Sequence, residues 1–200
     1  MGGRSRFCTA ALRAAVRPRH ALRYNDSMKV IGIAGWSGAG KTTLLTRVIP
    51  RITARGLRVS TIKHAHHGFD VDQPGKDSHT HRMAGATEVL VSSANRFALM
   101  HELRGAPELT LAALLEKLAP VDLVLVEGFK REAHPKLEVF RASVGKPLLH
   151  PDDPNIVAIA SDGPVTAGVP VVLLDDIDAV ADILMTCAAP RDVVLARVSA

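Results

Sequence analysis

Residues 30–42 read Val-Ile-Gly-Ile-Ala-Gly-Trp-Ser-Gly-Ala-Gly-Lys-Thr, a short apolar run that leads directly into the pattern G-x-x-x-x-G-K-T. This pattern is typical of a phosphate-binding loop, in which glycines let successive backbone N–H groups turn toward phosphate oxygens. The N-terminus of the helix that follows such a loop adds a favourable dipole for the same anion. The sequence therefore predicts a strand, a phosphate-binding loop and a helix in that order.

The predicted loop supplies most of the candidate nucleotide-binding residues. In loops of this kind the lysine, here Lys41, reaches the β- and γ-phosphates, and the next hydroxyl, Thr42, coordinates Mg²⁺. Apolar side chains recur at helical spacing from Thr42 to Ala54, which supports the helix. The candidate nucleotide-binding residues of this segment are Gly35, Trp36, Ser37, Gly38, Ala39, Gly40, Lys41, Thr42 and Thr43.

Short apolar runs alternate with amphipathic segments along the rest of the chain. The pattern predicts strands at 30–34, 57–62, 88–91, 97–101, 121–126, 137–141, 156–160 and 171–174, and helices at 42–54, 78–84, 107–118 and 176–187. In the helix at 107–118, Pro107 suits the first position. This alternation predicts the α/β fold of a P-loop NTPase, a mostly parallel sheet flanked by helices, with a small β-hairpin element at 88–101.

Charge and composition divide the chain at Met28. Residues 1–27 contain six arginines and one acid, which leaves 19 basic and 19 acidic residues in the remainder. We expect 1–27 to be a disordered or mis-called extension, 28–187 to be the P-loop nucleotide-binding domain, and 188–200 to be a tail. The neutral domain gives no indication of nucleic-acid binding, and its apolar runs fall short of the roughly 18 residues that a membrane span needs. Two cysteines indicate a reduced, cytoplasmic protein.

An acidic residue near the metal is the next requirement of a P-loop site, and it normally comes from the end of a neighbouring strand. The best candidate is Glu127, which ends the apolar run that starts after Asp122. Asp122 lies at the wrong end of the same predicted strand. We therefore assign Lys41 and Glu127 as catalytic candidates and Thr42 and Glu127 as metal candidates. The alternative is that Glu127 only caps a loop.

Titratable side chains are concentrated in residues 63–78, directly after the second predicted strand. The carboxyl ends of strands are where open α/β sheets place their binding crevice. His64, His66 and His67 are therefore candidates for substrate or partner contact, and Asp70 is a third candidate for the metal. A transition-metal site built from the histidines and a purely solvated loop both remain open here.

Two further groups of residues are candidates for recognition. A guanine base is usually read by an aspartate, and without an Asn-Lys-x-Asp tetrad the nearest substitute is Asp162, which follows the strand predicted at 156–160. A turn or helix cap is the alternative for Asp162. Lys130 and Lys136, with Arg131, are candidates for binding a further phosphate, although they also fit an ordinary solvated basic rim.

Four segments together resemble one known family. They are the loop at 35–42, the block Thr61-Ile-Lys-His-Ala-His-His-Gly-Phe-Asp-Val-Asp-Gln-Pro-Gly-Lys-Asp-Ser78, Val126-Glu-Gly-Phe-Lys130, and His134-Pro-Lys-Leu-Glu138. Between about Met28 and Asp162 the chain is similar to the molybdopterin-guanine dinucleotide biosynthesis protein B (MobB) family. The resemblance implies a dimeric GTP-binding protein that uses GTP and Mg²⁺ and hydrolyses slowly. It implies as partners molybdopterin and the guanylyltransferase that joins a guanine nucleotide to it.

Other functions would use the same loop. A metallochaperone GTPase would deliver a transition metal through the histidines, and a small-molecule kinase would transfer phosphate to an acceptor. A third alternative is a non-catalytic module whose shape is set by the bound nucleotide. Metal titration, an acceptor assay and a turnover assay distinguish these alternatives from the function that the resemblance implies.

Overall fold

The strand that precedes the glycine-rich loop lies at the centre of a parallel sheet. The computed structural model describes residues 28–65 and 68–198. Its strands are β1 Lys29–Ala34, β2 Val59–Lys63, β3 Glu88–Ser92, β4 Phe97–His101, β5 Leu123–Glu127, β6 Lys136–Phe140, β7 Ile156–Ser161, β8 Val171–Leu173 and β9 Ala189–Pro190. Its helices are α1 Lys41–Ala54, α2 Asp77–Met83, α3 Leu111–Lys117, α4 Ile177–Cys187 and α5 Arg191–Val198, and two short 3₁₀ turns cover Ala142–Val144 and His150–Asp152.

The main sheet has the order β2-β5-β1-β6-β7-β8, with β9 paired antiparallel to the start of β1. All other pairs in this sheet are parallel. The register aligns Ile33 of β1 with Glu127 of β5, and Glu127 with Lys63 of β2. These three strands therefore end level, and the segments that follow them meet at one edge of the sheet. The prediction of a mostly parallel α/β P-loop NTPase fold is confirmed.

Helices cover both faces of this sheet. On one face, Leu44, Val48 and Ile52 of α1 share a buried apolar cluster with α4 and with side chains of β1, β5 and β6. On the other face, α3 and α5 pack against Val30, Val124 and Val126 through the buried Leu115 and Val194. Because the central strands are buried on both sides, they are apolar throughout rather than alternating. No helix in the described part of the chain has the length and apolar character that a membrane crossing requires.

Two segments differ from the sequence-based expectation. Helix α3 begins at Leu111, so the prediction of Pro107 as its first residue is wrong; the Thr110 side chain caps the helix by accepting a hydrogen bond from the Ala113 N–H. A side-chain cap of this kind satisfies a backbone donor that has no partner within the helix. Beyond residue 187 the chain adds β9 to the sheet, and α5 buries Val194 completely.

The hairpin is confirmed as a separate two-stranded sheet, in which β3 and β4 pair antiparallel. Its register places Leu90 opposite Leu99, and Ser92 opposite Phe97, on one face. Leu90, Phe97 and Leu99 are 61%, 73% and 52% exposed, respectively. The hairpin therefore presents an apolar face that the described residues, 28–65 and 68–198, leave exposed.

Polar residues at the start of β6 are buried beside β1. The Lys136 side chain is 1% exposed, and its Nζ donates to Asp153 Oδ2 over 2.8 Å. Both interpretations of Lys136, a residue that binds a further phosphate and a member of a solvated basic rim, need an exposed ammonium group. Neither is supported, because β6 is buried from Lys136 to Val139. Its neighbour His134 is completely buried, and among the described residues neither of its ring nitrogens has a hydrogen-bond partner. Gly32 makes room for that ring, since a Cβ there would lie 2.4 Å from His134 Nε2.

The burial of His134 predicts that the protein loses stability in mild acid. Burial, followed by the charge of Lys136, lowers the pKa of His134 to about 4 from an ordinary value of 6.5. Below about pH 6.5 His134 is protonated in the unfolded chain, whereas in the folded chain it stays neutral down to about pH 4. The free energy of unfolding therefore falls as the pH is lowered through this window. The contribution of His134 to this loss between pH 7 and pH 5 is about 2 kcal/mol.

Denaturant unfolding at pH 7 and pH 5 tests this, with His134→Gln as the matched variant. We expect the difference in unfolding free energy between the two pH values to shrink in the variant. Glu138, whose pKa burial raises, is common to both proteins and cancels in the comparison. An identical pH dependence in the two proteins would show that His134 does not carry the effect.

Candidate nucleotide-binding site

The loop between β1 and α1 takes a conformation that its glycines make possible. Gly35 and Gly40 have φ values of 140° and 89°, a region that side chains disfavour. At Gly35 space is also limiting, because a Cβ would lie 2.6 Å from the Val139 carbonyl oxygen. The loop therefore passes close to β6 and enters α1 directly at Lys41, with Gly40 as the residue before the helix.

Lys41 folds back over the loop. Its Nζ donates to the carbonyl oxygens of Gly35 and Trp36, each over 3.0 Å. Burial lowers the pKa of Lys41, and the nearby positive charge of Lys130 lowers it further. An ammonium group in such surroundings gains from the arrival of an anion, since the anion offsets both the burial and the repulsion.

Thr42 and Glu127 meet at the mouth of this loop. The Thr42 hydroxyl donates to Glu127 Oε1 over 3.0 Å, and Lys63 Nζ lies 3.7 Å from Glu127 Oε2. The expectation that Glu127, and not Asp122, approaches the loop agrees with this geometry, because the Asp122 carboxylate accepts from the backbone and side chain of Arg58. A pocket of about 390 Å³ opens here, lined by Ser37, Gly38, Gly40, Lys41, Thr42, Thr43 and Glu127.

The oxygen donors of Thr42 and Glu127 suit Mg²⁺, a hard cation that keeps several waters and uses few protein ligands. The third metal candidate, Asp70, does not line this pocket. Its carboxylate accepts the Asp72 N–H and lies 2.6 Å from Arg82 Nη2, and these contacts hold its pKa below the ordinary value. The assignment of Asp70 to the metal is therefore not supported, because Arg82 already neutralises it. Across 28–65 and 68–198 no group of three or more His, Cys, Asp or Glu side chains is placed to hold a metal ion.

Trp36 connects the loop to two further cations. Its indole Nε1 donates to the Pro147 carbonyl oxygen over 2.8 Å. Lys130 Nζ lies 5.5 Å and Lys146 Nζ 5.9 Å from the ring centroid, distances that permit cation–π attraction. The structure thus brings Lys130 beside the loop, next to Lys41, whereas Lys136 is buried elsewhere.

Asp162 follows β7 and reaches the loop through an arginine. Its carboxylate accepts the Ala142 N–H over 3.3 Å and lies 3.6 Å from Arg141 Nη1. Arg141 Nε in turn donates to the Ala39 carbonyl oxygen over 3.2 Å. Arg141 is not among the residues that the sequence predicted for the site, although a basic residue at the end of the strand predicted at 137–141 was an available signal.

His64 and Phe129 form a second group at the same edge of the sheet. Their rings stack with centroids 4.7 Å apart and an interplanar angle of 28°. His64 Nε2 also lies 2.7 Å from Glu108 Oε1. Neither Phe129 nor Glu108 is among the site residues that the sequence predicted. Glu108 is 44 positions from His64, and only folding brings the two together. His66 and His67, the other two histidine candidates, lie outside the described residues.

The parallel sheet, the glycine loop between β1 and α1, and the carboxylate at the end of β5 define the α/β fold of the P-loop NTPase class. The sequence model of the family described as molybdopterin guanine dinucleotide synthesis protein B, MobB, matches residues 30–162. The chain belongs to the MobB family, which confirms the family that its motifs predicted.

Relatives and solved structures agree with this membership. The chain is 43% identical over 159 residues to the molybdopterin-guanine dinucleotide biosynthesis adapter protein of Escherichia coli K12, covering 78% of this chain and 91% of that protein. It is 39% identical over 160 residues to the adapter protein of the same name from Haemophilus influenzae, covering 80% and 89%. The crystal structure of a MobB homologue from Bacillus stearothermophilus superposes with a TM-score of 0.57 at 29% identity, covering 80% of this chain and 97% of that one.

Proposed function

We propose that this chain binds GTP and Mg²⁺ at the 35–43 loop, hydrolyses GTP slowly, and assists the enzyme that attaches a guanine nucleotide to molybdopterin. The observation that carries the proposal is the convergence of Lys41, Thr42 and Glu127 at the glycine loop. The relatives that share this chain's family are named adapter proteins of molybdopterin-guanine dinucleotide biosynthesis. Its partners are then molybdopterin and the guanylyltransferase of that pathway, and its cytoplasmic location stays a prediction.

Each residue has a distinct role in this proposal. The backbone N–H groups of the loop surround the phosphates, and Lys41 exchanges its two carbonyl acceptors for phosphate oxygens. Thr42 and Glu127 would hold Mg²⁺, Glu127 through a coordinated water, because a bare carboxylate beside phosphates is repelled. Bound Mg²⁺ neutralises charge on the β- and γ-phosphates.

Guanine recognition falls to Asp162 in this proposal. The carboxyl end of β7 lies two strands from β1 on the side of β6, a distance that a nucleotide extending from the loop can span. Asp162 would exchange its hydrogen bond from Ala142 for the N1 and N2 donors of guanine. Arg141 contacts both Asp162 and the loop carbonyl of Ala39, so it would fix the position of the base site relative to the phosphate site.

Slow hydrolysis follows from the state of Glu127. Among the described residues that line the pocket, Glu127 supplies the carboxylate. It accepts a hydrogen bond from Thr42 and lies near the Lys63 ammonium group. A carboxylate that is held by a hydroxyl and an ammonium group is a poor base for activating water. This arrangement favours an adapter that retains its nucleotide over an enzyme with rapid turnover.

The first test of the proposal is nucleotide affinity. We expect Lys41→Ala to weaken Mg²⁺·GTP binding by at least about 100-fold, since it removes a charge-assisted contact to the phosphates. Trp36, the chain's single tryptophan, lies in the loop, so its fluorescence reports binding directly. Lys29→Ala, an exposed lysine at the far end of β1, is the matched control. Equal GTP affinity in wild type and Lys41→Ala, or stronger binding of ATP than GTP, would contradict the proposal.

Glu127 provides a separate test of the metal. Glu127→Gln keeps the size of the side chain and removes its charge, so we expect GTP affinity in Mg²⁺ to fall about tenfold. Metal-free GDP binding should stay within about twofold of wild type. Titrating both nucleotides with and without Mg²⁺ measures this, and Glu116→Gln on the exposed surface of α3 serves as control. Equal losses in all four titrations would make Glu127 a structural residue.

The hairpin supports the further proposal of a homodimer. Helix α2 contacts β3, and a two-stranded hairpin gains further stability when its exposed apolar face is also covered. Leu90, Phe97 and Leu99 form that face, and exposed apolar patches of this kind mark protein interfaces. A second copy offers an identical face, and a two-fold interface pairs like with like.

The dimer is tested by introducing a charge into this face. We expect Phe97→Glu to convert the protein to a monomer, because a carboxylate buried between two apolar faces is strongly unfavourable. Analytical ultracentrifugation across a concentration series measures the change. Ala94→Glu adds the same charge at the exposed hairpin turn and should leave the dimer intact. A wild-type chain that sediments as a monomer at every concentration would refute this interface.

A further inference from the structure

A second cavity, of about 590 Å³, lies beside the phosphate loop at the carboxyl ends of β2 and β5. Its volume is in the range of small-molecule sites. Its wall combines two rings, two cations and two carboxylates, contributed by His64, Phe129, Lys130, Arg131, Glu108 and Glu132. Neither the nucleotide proposal nor the dimer proposal uses this cavity.

The backbone that forms the cavity is held in an unusual conformation. Gly128 has a φ of 104°, and a Cβ there would lie 2.6 Å from the Cβ of His64. The next residue, Phe129, has a φ of 50° although it carries a bulky side chain. Conformations of this kind persist where the surroundings enforce them, and they concentrate at ligand-binding sites. Here they place the Phe129 ring against His64, which also contacts Glu108.

We propose that this cavity binds a planar nitrogen heterocycle that carries an acidic group, namely a pterin phosphate. This inference rests on the proposed function, for which the pterin phosphate is a second ligand beside the nucleotide. The Phe129 ring provides a stacking surface, as aromatic side chains do for fused heterocycles. The carboxylates of Glu108 and Glu132 accept the amino and lactam N–H groups of the pterin edge. Lys130 and Arg131 bind the phosphate, for which a guanidinium fork is well suited.

Lys130 connects this cavity to the phosphate loop. It lines the cavity and also lies over the ring of Trp36, which belongs to the loop. Phe129 is only two residues beyond Glu127, so the two sites share the segment that follows β5. A nucleotide and a pterin phosphate bound together would therefore direct their phosphates toward one cation. That arrangement suits a protein that presents both compounds to the enzyme joining them.

The experiment uses pterin-6-carboxylate, a fluorescent planar heterocycle with one acidic group, and follows its anisotropy with the full chain. We expect saturable binding that persists when the 35–43 loop is filled with Mg²⁺·GTP. Phe129→Leu should weaken pterin binding about tenfold, the typical loss of one stacking contact. Arg131→Ala should weaken it by a similar factor, and because Arg131 is exposed this variant does not threaten the fold. Lys117→Ala, an exposed basic residue on α3, should bind pterin like wild type.

GTP affinity, measured by Trp36 fluorescence on the same proteins, distinguishes the pterin site from the proposed nucleotide site. Unchanged GTP affinity in Phe129→Leu and Arg131→Ala, together with weaker pterin binding, supports a distinct second site. Failure of wild type to bind pterin-6-carboxylate while binding GTP would overturn this inference alone. Displacement of pterin by GTP, or equal pterin affinity in all variants, would also overturn it. Failure of wild type to bind GTP would overturn the proposed function, whatever the pterin result.

Discussion

The site depends on the register of three parallel strands. Lys63, Glu127 and Ile33 are aligned across β2, β5 and β1, so the three strands end at the same level. Everything that follows them is thereby brought to one edge: the glycine loop after β1, the segment after Glu127, and His64 after β2. A shift of one residue between β1 and β5 would exchange the β5 side chains between the two faces and move Glu127 out of line with Ile33, and the close packing of the helices on both faces opposes it.

Close approach between these segments explains where glycine is required. Gly35 lies against the Val139 carbonyl and Gly128 against the Cβ of His64, and both have positive φ values. The space left at Gly35 lets the loop pass close to β6, whereas the space left at Gly128 lets Phe129 stack on His64. The two glycines thus serve different sites by the same physical means, which is the absence of a side chain where two backbones meet.

Charge at this edge is unbalanced in a way that favours an anion. Burial lowers the pKa of Lys41, the charges of Lys130 and Lys63 lower it further, and the carboxylate of Glu127 opposes them. In the described structure Lys41 donates hydrogen bonds to two loop carbonyl oxygens, and Thr42 donates one to Glu127. A triphosphate with its metal would satisfy the same groups better, since it supplies several oxygens to cations that now repel one another.

The sequence by itself determined the glycine loop, the order of strands and helices, the hairpin and the family, because these are written in local spacing and in contiguous motifs. Local spacing also singled out Glu127, since a carboxylate at the end of an apolar run must lie at the carboxyl edge of the sheet. Only the tertiary structure showed that Lys136 is buried against Asp153 and that Arg82 forms an ion pair with Asp70. The tertiary structure alone showed that His64 contacts Glu108 and that Arg141 contacts the loop. These contacts connect residues tens of positions apart and depend on the order of the strands within the sheet, which no single segment encodes.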